Sequence, residues 1–149
     1  MVLYNLADLV AGLAPGERLL GLDPGSKRIG VALSDVSLRV ASPYGMIPRA
    51  KLKQNAVDVL AIAVREGVGG LVIGLPLDEL GRSAQAARDW AHAMSATTEL
   101  PVVLQDESFT TQETHERLIA AGVSRARRDQ IIDKMAAAAI LQRALDTLG

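Results

Sequence analysis

The chain of 149 residues has no cysteine, so disulfides and thiolate zinc sites are both excluded, and a reducing cytoplasm is the expected compartment. Histidine is almost as scarce. Only His92 and His115 offer imidazole, too few for a three-histidine zinc site. Any metal must therefore be a hard cation held on carboxylate oxygens, such as Mg2+ or Mn2+. Aromatic residues make up 3% of the chain, which favours close packing of helices on a sheet over an aromatic core. No apolar run approaches the roughly 18 residues of a membrane span. No basic segment followed by an apolar core marks an export signal, so no membrane partner is expected. The net charge is −1, which excludes coating nucleic acid by bulk charge and leaves only a local basic patch for that purpose.

What is present is enough for one globular domain: 49% of residues are apolar and 22% charged. Residues 1–17 read as an N-terminal helical extension, with a helix around Leu3–Leu13 closed by Ala14-Pro15-Gly16. Strands follow at about Arg18–Asp23, Arg28–Ser34 and Arg39–Ile47, spaced as a meander. Lys51–Glu66 has helical periodicity, and Gly67-Val68-Gly69-Gly70 should end it before a short strand, Leu71–Ile73. Ser83 should cap a helix to about Ala96, Pro101–Asp106 is a strand, and Thr110 with Glu113 forms a capping box. A last helix is expected over Gln130–Leu148. The expectation is an α/β fold: a mixed five-stranded sheet in βββαβαβα order, with helices on both faces of a domain spanning 18–149.

The candidate chemistry lies at strand ends. Asp23-Pro24-Gly25-Ser26 sets an acid where an apolar strand stops, on a turn that Pro24 and Gly25 make rigid. Glu107 follows another strand, and Thr110 already serves as the next helix cap, which leaves Glu107 for another role. Asp106 beside it is either an outer ligand or a strand-end hydrogen-bonding group. Asp133 is spaced one turn from Ala136 and Ala137. It either turns inward and needs a cation, or acts on the macrodipole near a helix start. Ser124-Arg125-Ala126-Arg127-Arg128 puts three arginines in one expected loop, suited to phosphate because guanidinium forks match its oxygens. Lys27, Arg28 and Arg82 could extend that patch.

In their order and spacing, Asp23–Ala32, Gly74-Leu75-Pro76-Leu77, Asp106–Thr111 and the basic segment leading into Ile132-Asp133-Lys134-Met135-Ala136-Ala137 resemble the YqgF family. Its members are small RNase H-like bacterial proteins described as pre-16S rRNA nucleases or Holliday-junction-resolvase-like proteins. The resemblance runs from about Arg18 to the C-terminus. It implies an RNase H-like fold and an active site at Asp23, Glu107 and Asp133. Those acids would bind Mg2+ or Mn2+ for two-metal phosphodiester hydrolysis. The implied role is 5′-end maturation of pre-16S rRNA in the cytoplasm, with the assembling small ribosomal subunit as a partner and branched DNA as the alternative substrate.

Two departures from the family pattern bear on substrate contacts. Ser108 stands where the family commonly has Arg, and the loop at 77–82 is short. They keep a catalytically silent RNA-binding module in view as a rival. An actin–hexokinase type phosphotransferase, which also uses Asp-x-Gly, would need two such domains around its nucleotide. With few aromatics, a base-stacking platform is not expected to be the main mode of recognition.

Overall fold

In the computed structural model the elements run α1 (Leu6–Ala11), β1 (Arg18–Pro24), β2 (Arg28–Ser34), β3 (Ala41–Pro48), α2 (Leu52–Glu66), β4 (Val68–Leu75), α3 (Arg82–Thr98), β5 (Val102–Asp106), α4 (Thr111–Ala120) and α5 (Arg125–Asp146). The structure describes residues 5–75, 82–106 and 111–148, without the side chains of 82–84, 111–115 and 133. The five strands form one sheet in the order β3-β2-β1-β4-β5. The first three make an antiparallel meander, whereas β4 and β5 add parallel to β1. The expected mixed five-stranded sheet is therefore the one observed.

Strand alternation divides the core in two. Leu20, Leu22, Val31, Leu71, Ile73 and Val102 point to the face covered by α2 and α3. Leu19, Ala32, Val72 and Val103 point to the other, where they meet Ala137, Ile140, Leu141 and Ala144 of α5. On that second face the strands carry glycines where the helix comes closest. A Cβ on Gly21 would lie 2.8 Å from the Leu141 Cβ and 3.1 Å from the Ala137 carbonyl oxygen, and one on Gly74 would run into Ile140 Cδ1. Gln142 fixes the helix sideways: its Oε1 accepts from the Ala41 N–H at 2.9 Å and its Nε2 donates to the Arg39 carbonyl at 2.9 Å.

The expected elements differ from the observed ones in two informative places. Gly67 does end α2, in the left-handed conformation (φ 68°), but β4 begins at once with Val68 rather than at Leu71. Gly69 and Gly70 sit inside the strand because α1 and the segment after it lie on them. A Cβ at Gly70 would be 2.5 Å from Leu9 Cδ2, and one at Gly69 would be 2.7 Å from Leu13 Cδ2. The β1–β4 register slips there, from Arg18↔Val68 to Leu19↔Gly70. The second difference is the start of α5. Ser124 is its N-cap, with Oγ accepting from the Arg127 N–H at 3.3 Å, so the arginines form a helical first turn rather than a loop.

The β2–β3 connection is organised by one carboxylate. Asp35 Oδ1 accepts from the Arg39 and Val40 N–H groups at 2.8 and 3.1 Å, and Ser37 Oγ donates to Oδ2 at 2.8 Å. These donors, the Arg39 amide foremost, hold the Asp35 carboxyl below its ordinary value. The folded state therefore prefers the ionised form. Its contribution to stability is complete above the unfolded pKa and is lost as pH falls through the lower folded value. Asp35→Asn should accordingly flatten the fall in melting temperature as pH drops below about 4. Equal pH slopes for the two proteins would contradict this account of the turn.

A corner after β3 is set by fully buried Asn55, whose Oδ1 accepts from the Ala50 N–H at 2.9 Å and whose Nδ2 donates to the Pro48 carbonyl at 3.0 Å. It satisfies two main-chain groups where strand turns into helix, and so fixes the direction in which Arg49 leaves the sheet.

Candidate active site at the carboxyl end of the central strand

Asp23 is the penultimate residue of β1, half-buried, and paired across the β1–β2 ladder with Gly30. It follows Gly21 by two residues, so its side chain projects from the same face of the sheet, the face that carries α5. The Pro24–Lys27 turn behind it is closed by the Gly25 N–H, which donates to the carbonyls of Asp23 at 2.9 Å and Arg28 at 3.0 Å. The parallel neighbours β4 and β5 end beside β1, with Leu22 level with Ile73, and Gly74 with Gln105. Three strand C-terminal ends thus converge on one edge, where open α/β sheets hold their ligands.

The direction of α5 brings residue 133 to the same edge. Gln142 lies level with Ala41, near the start of β1, and Ala137 sits over Gly21. Moving two residues along β1, from Gly21 to Asp23, advances about 6.6 Å. Moving one turn back along α5, from Ala137 to 133, covers about 6 Å. The backbone of Asp133 is therefore delivered to the level of Asp23. Because α5 starts at Arg125, Asp133 lies in its third turn. The macrodipole acts mainly within the first turn, so that reading of Asp133 no longer accounts for it.

The other expected site residues fall as follows. Lys27 is exposed in the β1–β2 turn and Arg28 is half-buried at the head of β2. Arg125 and Arg127 are exposed on the first turn of α5, and half-buried Arg128 donates from Nη1 to the Val123 carbonyl at 2.9 Å. All three stand beyond 133 on the helix, on the side away from its seat on Gly21. Arg82 opens α3, and its backbone lies one turn before Ala86, which borders the Asp23 turn. Glu107, Ser108, Thr110 and the loop residues 77–81 lie outside the described residues, as does the side chain of Asp133. Among the described residues, no group of three or more acidic or histidine side chains converges. Asp106 is exposed and, by alternation from Val102 and Leu104, projects from the face opposite Asp23. This separates it from Asp23, which projects from the α5 face, and argues against an outer-ligand role.

One residue that borders the site is absent from the sequence reading. Arg49 donates from Nη1 to the Gly25 carbonyl at 2.7 Å, and its own N–H donates to the Lys27 carbonyl at 2.9 Å, so it braces the Asp23 turn from both ends. No motif signals it, because its partners lie across the sheet from it in sequence. The larger cavity of about 540 Å3, between Val10, Leu38 and Leu145, is at the opposite end of the sheet. No described helix is long and apolar enough to cross a membrane.

The chain is similar to known proteins over most of its length. Residues 17–147 match the family model RuvX, described as Holliday junction resolvase. A provisionally named pre-16S rRNA nuclease of Acidiphilium cryptum is 50% identical, over 99% of this chain and 96% of its own. A relative of the same name from Gluconacetobacter diazotrophicus is 49% identical, over 98% of this chain and 97% of its own. Among solved structures, Thermus thermophilus RuvC in complex with a Holliday junction substrate superposes with a TM-score of 0.54 at 15% identity, over 89% of this chain and 95% of its own. A fowlpox virus resolvase bound to junction DNA gives 0.52 at 9% identity, over 88% of this chain and 98% of its own. At such identities the likeness is one of fold, and that fold is RNase H-like.

Proposed function

Because the chain belongs to the RuvX (YqgF) family, we propose that it is a metal-dependent nuclease that hydrolyses phosphodiester bonds in the 5′-end maturation of pre-16S rRNA. The observation that carries the reading is the seating of α5 on Gly21, which brings residue 133 level with Asp23 at the end of the central strand. Glu107, next in sequence after β5, completes the acidic set. The near relatives whose names specify pre-16S rRNA support the choice of substrate. That substrate implies a cytoplasmic protein acting on the assembling small ribosomal subunit.

The donor set fits a hard divalent cation: Asp23, Glu107 and Asp133 offer only carboxylate oxygens, and the chain has no thiol to draw a softer metal. Two Mg2+ or Mn2+ ions bound there would supply water activation and neutralise charge at the reacting phosphate. The chain's own residues do the positioning. Asp23 sits on a turn braced by Arg49, so its carboxylate is offered from a rigid strand end. Arg125 and Arg127, on the exposed first turn of α5, meet the phosphate backbone without reading sequence. Lys27 adds a cation on the other side of the strand end.

Cleavage of an end-labelled pre-16S rRNA 5′ leader, with and without Mn2+, tests the proposal beside a four-way DNA junction. Metal-dependent cutting of the leader in preference to the junction is expected. Preferential cutting of the junction would instead favour the resolvase activity of the family description. RNA binding without cleavage of either substrate would make the protein a silent assembly factor and end the nuclease reading.

A further inference from the structure

We propose that the cavity beside the Asp23 turn, on the α3 side of the sheet, is a subsite for one unstacked nucleotide of a single-stranded RNA segment whose backbone passes round the strand end to the site. This rests on the nuclease reading above. The cavity measures about 350 Å3 and lies between the Pro24–Ser26 turn, Arg49 and the Ala86–Trp90 stretch of α3. Its size is within the roughly 300–1,000 Å3 of small-molecule sites. It exists because Ala86 and Ala87 end at Cβ, leaving the space between turn and helix to whatever lies against Trp90.

Trp90 is the only tryptophan in the chain and is half-buried, packed on one side against the α2–α3 core. Arg49 lies with its guanidinium carbon 5.3 Å from the centre of the Trp90 ring. Among the described residues, its only polar side-chain partner is the Gly25 carbonyl, and no carboxylate neutralises it. The cavity therefore presents a guanidinium lying over an indole, with walls of proline and alanine. Indole and guanidinium planes are the surfaces on which unpaired bases stack. The guanidinium also keeps free N–H donors for a phosphate oxygen. A lone phosphate would use the cation and leave the apolar walls without purpose, whereas a nucleotide uses both. A base stacked within a duplex cannot offer its face to the guanidinium that lies over Trp90, so the subsite selects single strand. Gly25 is two residues from Asp23, within about 7 Å along the chain, but α3 covers the face of the sheet opposite Asp23, so a strand held here reaches the site only by passing round the end of β1. Stacking thus enters recognition at one position, although the scarcity of aromatics rules out an extended platform.

The sole tryptophan makes the test direct. Intrinsic fluorescence of the full chain is followed in EDTA as a single-stranded RNA octamer is added, and then the same octamer as a duplex. Labelled octamer gives affinities for Arg49→Gln, Trp90→Ala, Trp90→Phe and Ala86→Glu, with far-UV circular dichroism on each variant. Single strand should quench Trp90 and duplex should not. Arg49→Gln, Trp90→Ala and Ala86→Glu should each weaken single-strand binding by about fivefold to a hundredfold, and Trp90→Phe should restore most of the loss. Ala86 is exposed, so its substitution reports on the cavity even if Trp90→Ala unfolds the chain. Quenching without cleavage would support the subsite and remove only the hydrolytic reading. Cleavage of the leader without quenching, or wild-type affinity in both Arg49→Gln and Ala86→Glu, overturns the subsite. Absence of both binding and cleavage overturns both.

Discussion

Asp23→Asn is expected to lower metal-dependent cleavage of the pre-16S leader by at least about a hundredfold, more than the loss of an outer-shell partner of a metal ligand costs. The change keeps the size and shape of the side chain and removes the negative charge that a hard cation requires. Asp23 faces Gly30 across the ladder, so the residue directly opposite has no side chain packed on it, and Asn keeps the shape of the group at that position. If Glu107 and Asp133 join Asp23 as proposed, removing one of the three carboxylates relieves repulsion in the metal-free protein. The melting temperature of Asp23→Asn in EDTA should therefore equal or exceed that of wild type. Addition of Mg2+ or Mn2+ should raise the melting temperature of wild type more than that of the variant, because only binding to the folded state stabilises it. Asp106→Asn is the matched control. It removes an acid that also stands at the carboxyl end of a strand but projects from the opposite face of the sheet, and should leave cleavage within about tenfold of wild type. Cleavage by Asp23→Asn at the wild-type rate would remove Asp23 from the site and with it the argument built on the end of β1.

The framework around Asp23 is legible in the sequence because it is written in local terms. Two short continuous apolar runs in Arg18–Ser34, broken by Pro24-Gly25, are enough to give two strands and the turn between them. Where local terms mislead, a distant contact has overridden them. Gly69 and Gly70 carry the ordinary signature of a break, yet they are strand because Leu9 and Leu13 occupy the space their side chains would take. No window on the sequence contains both partners. The arginines before Asp133 looked like a loop because of their charge, although arginine is a good helix former and Ser124 was available as a cap. Extending α5 back to Arg125 changes the meaning of Asp133, from a residue near a helix start to one carried deep along the sheet. Arg49 and Trp90 were invisible for a third reason. Each belongs to a different element, and only the corner fixed by Asn55 brings one over the other.

Gly21→Val should destabilise the protein by about 3 kcal/mol or more, the upper end of what an added methylene in a packed core costs. A single Cβ there would stand 2.8 Å from the Leu141 Cβ and 3.1 Å from the Ala137 carbonyl oxygen. Neither is the tip of a flexible chain that can swing aside: one is fixed to the helix backbone and the other is part of it. The valine can be accommodated only if α5 lifts from β1, which also opens the approach of Ile140 to Gly74 and loosens the cluster that holds Leu19 and Ala144. Against a total stability of about 5–15 kcal/mol this is a large fraction. Urea unfolding should show a lower midpoint with an unchanged slope. Gly45→Ala is the control for glycine itself. It lies in β3 with nothing within 4 Å of the added carbon, so it should be neutral or slightly stabilising through the unfolded chain. The two changes also separate stability from function. Under conditions where Gly21→Val is still folded, its cleavage should fall out of proportion to its folded fraction, because the same lift carries Asp133 away from Asp23. A midpoint equal to wild type would mean that α5 does not rest on Gly21, and the alignment of the two acids would lose its physical basis.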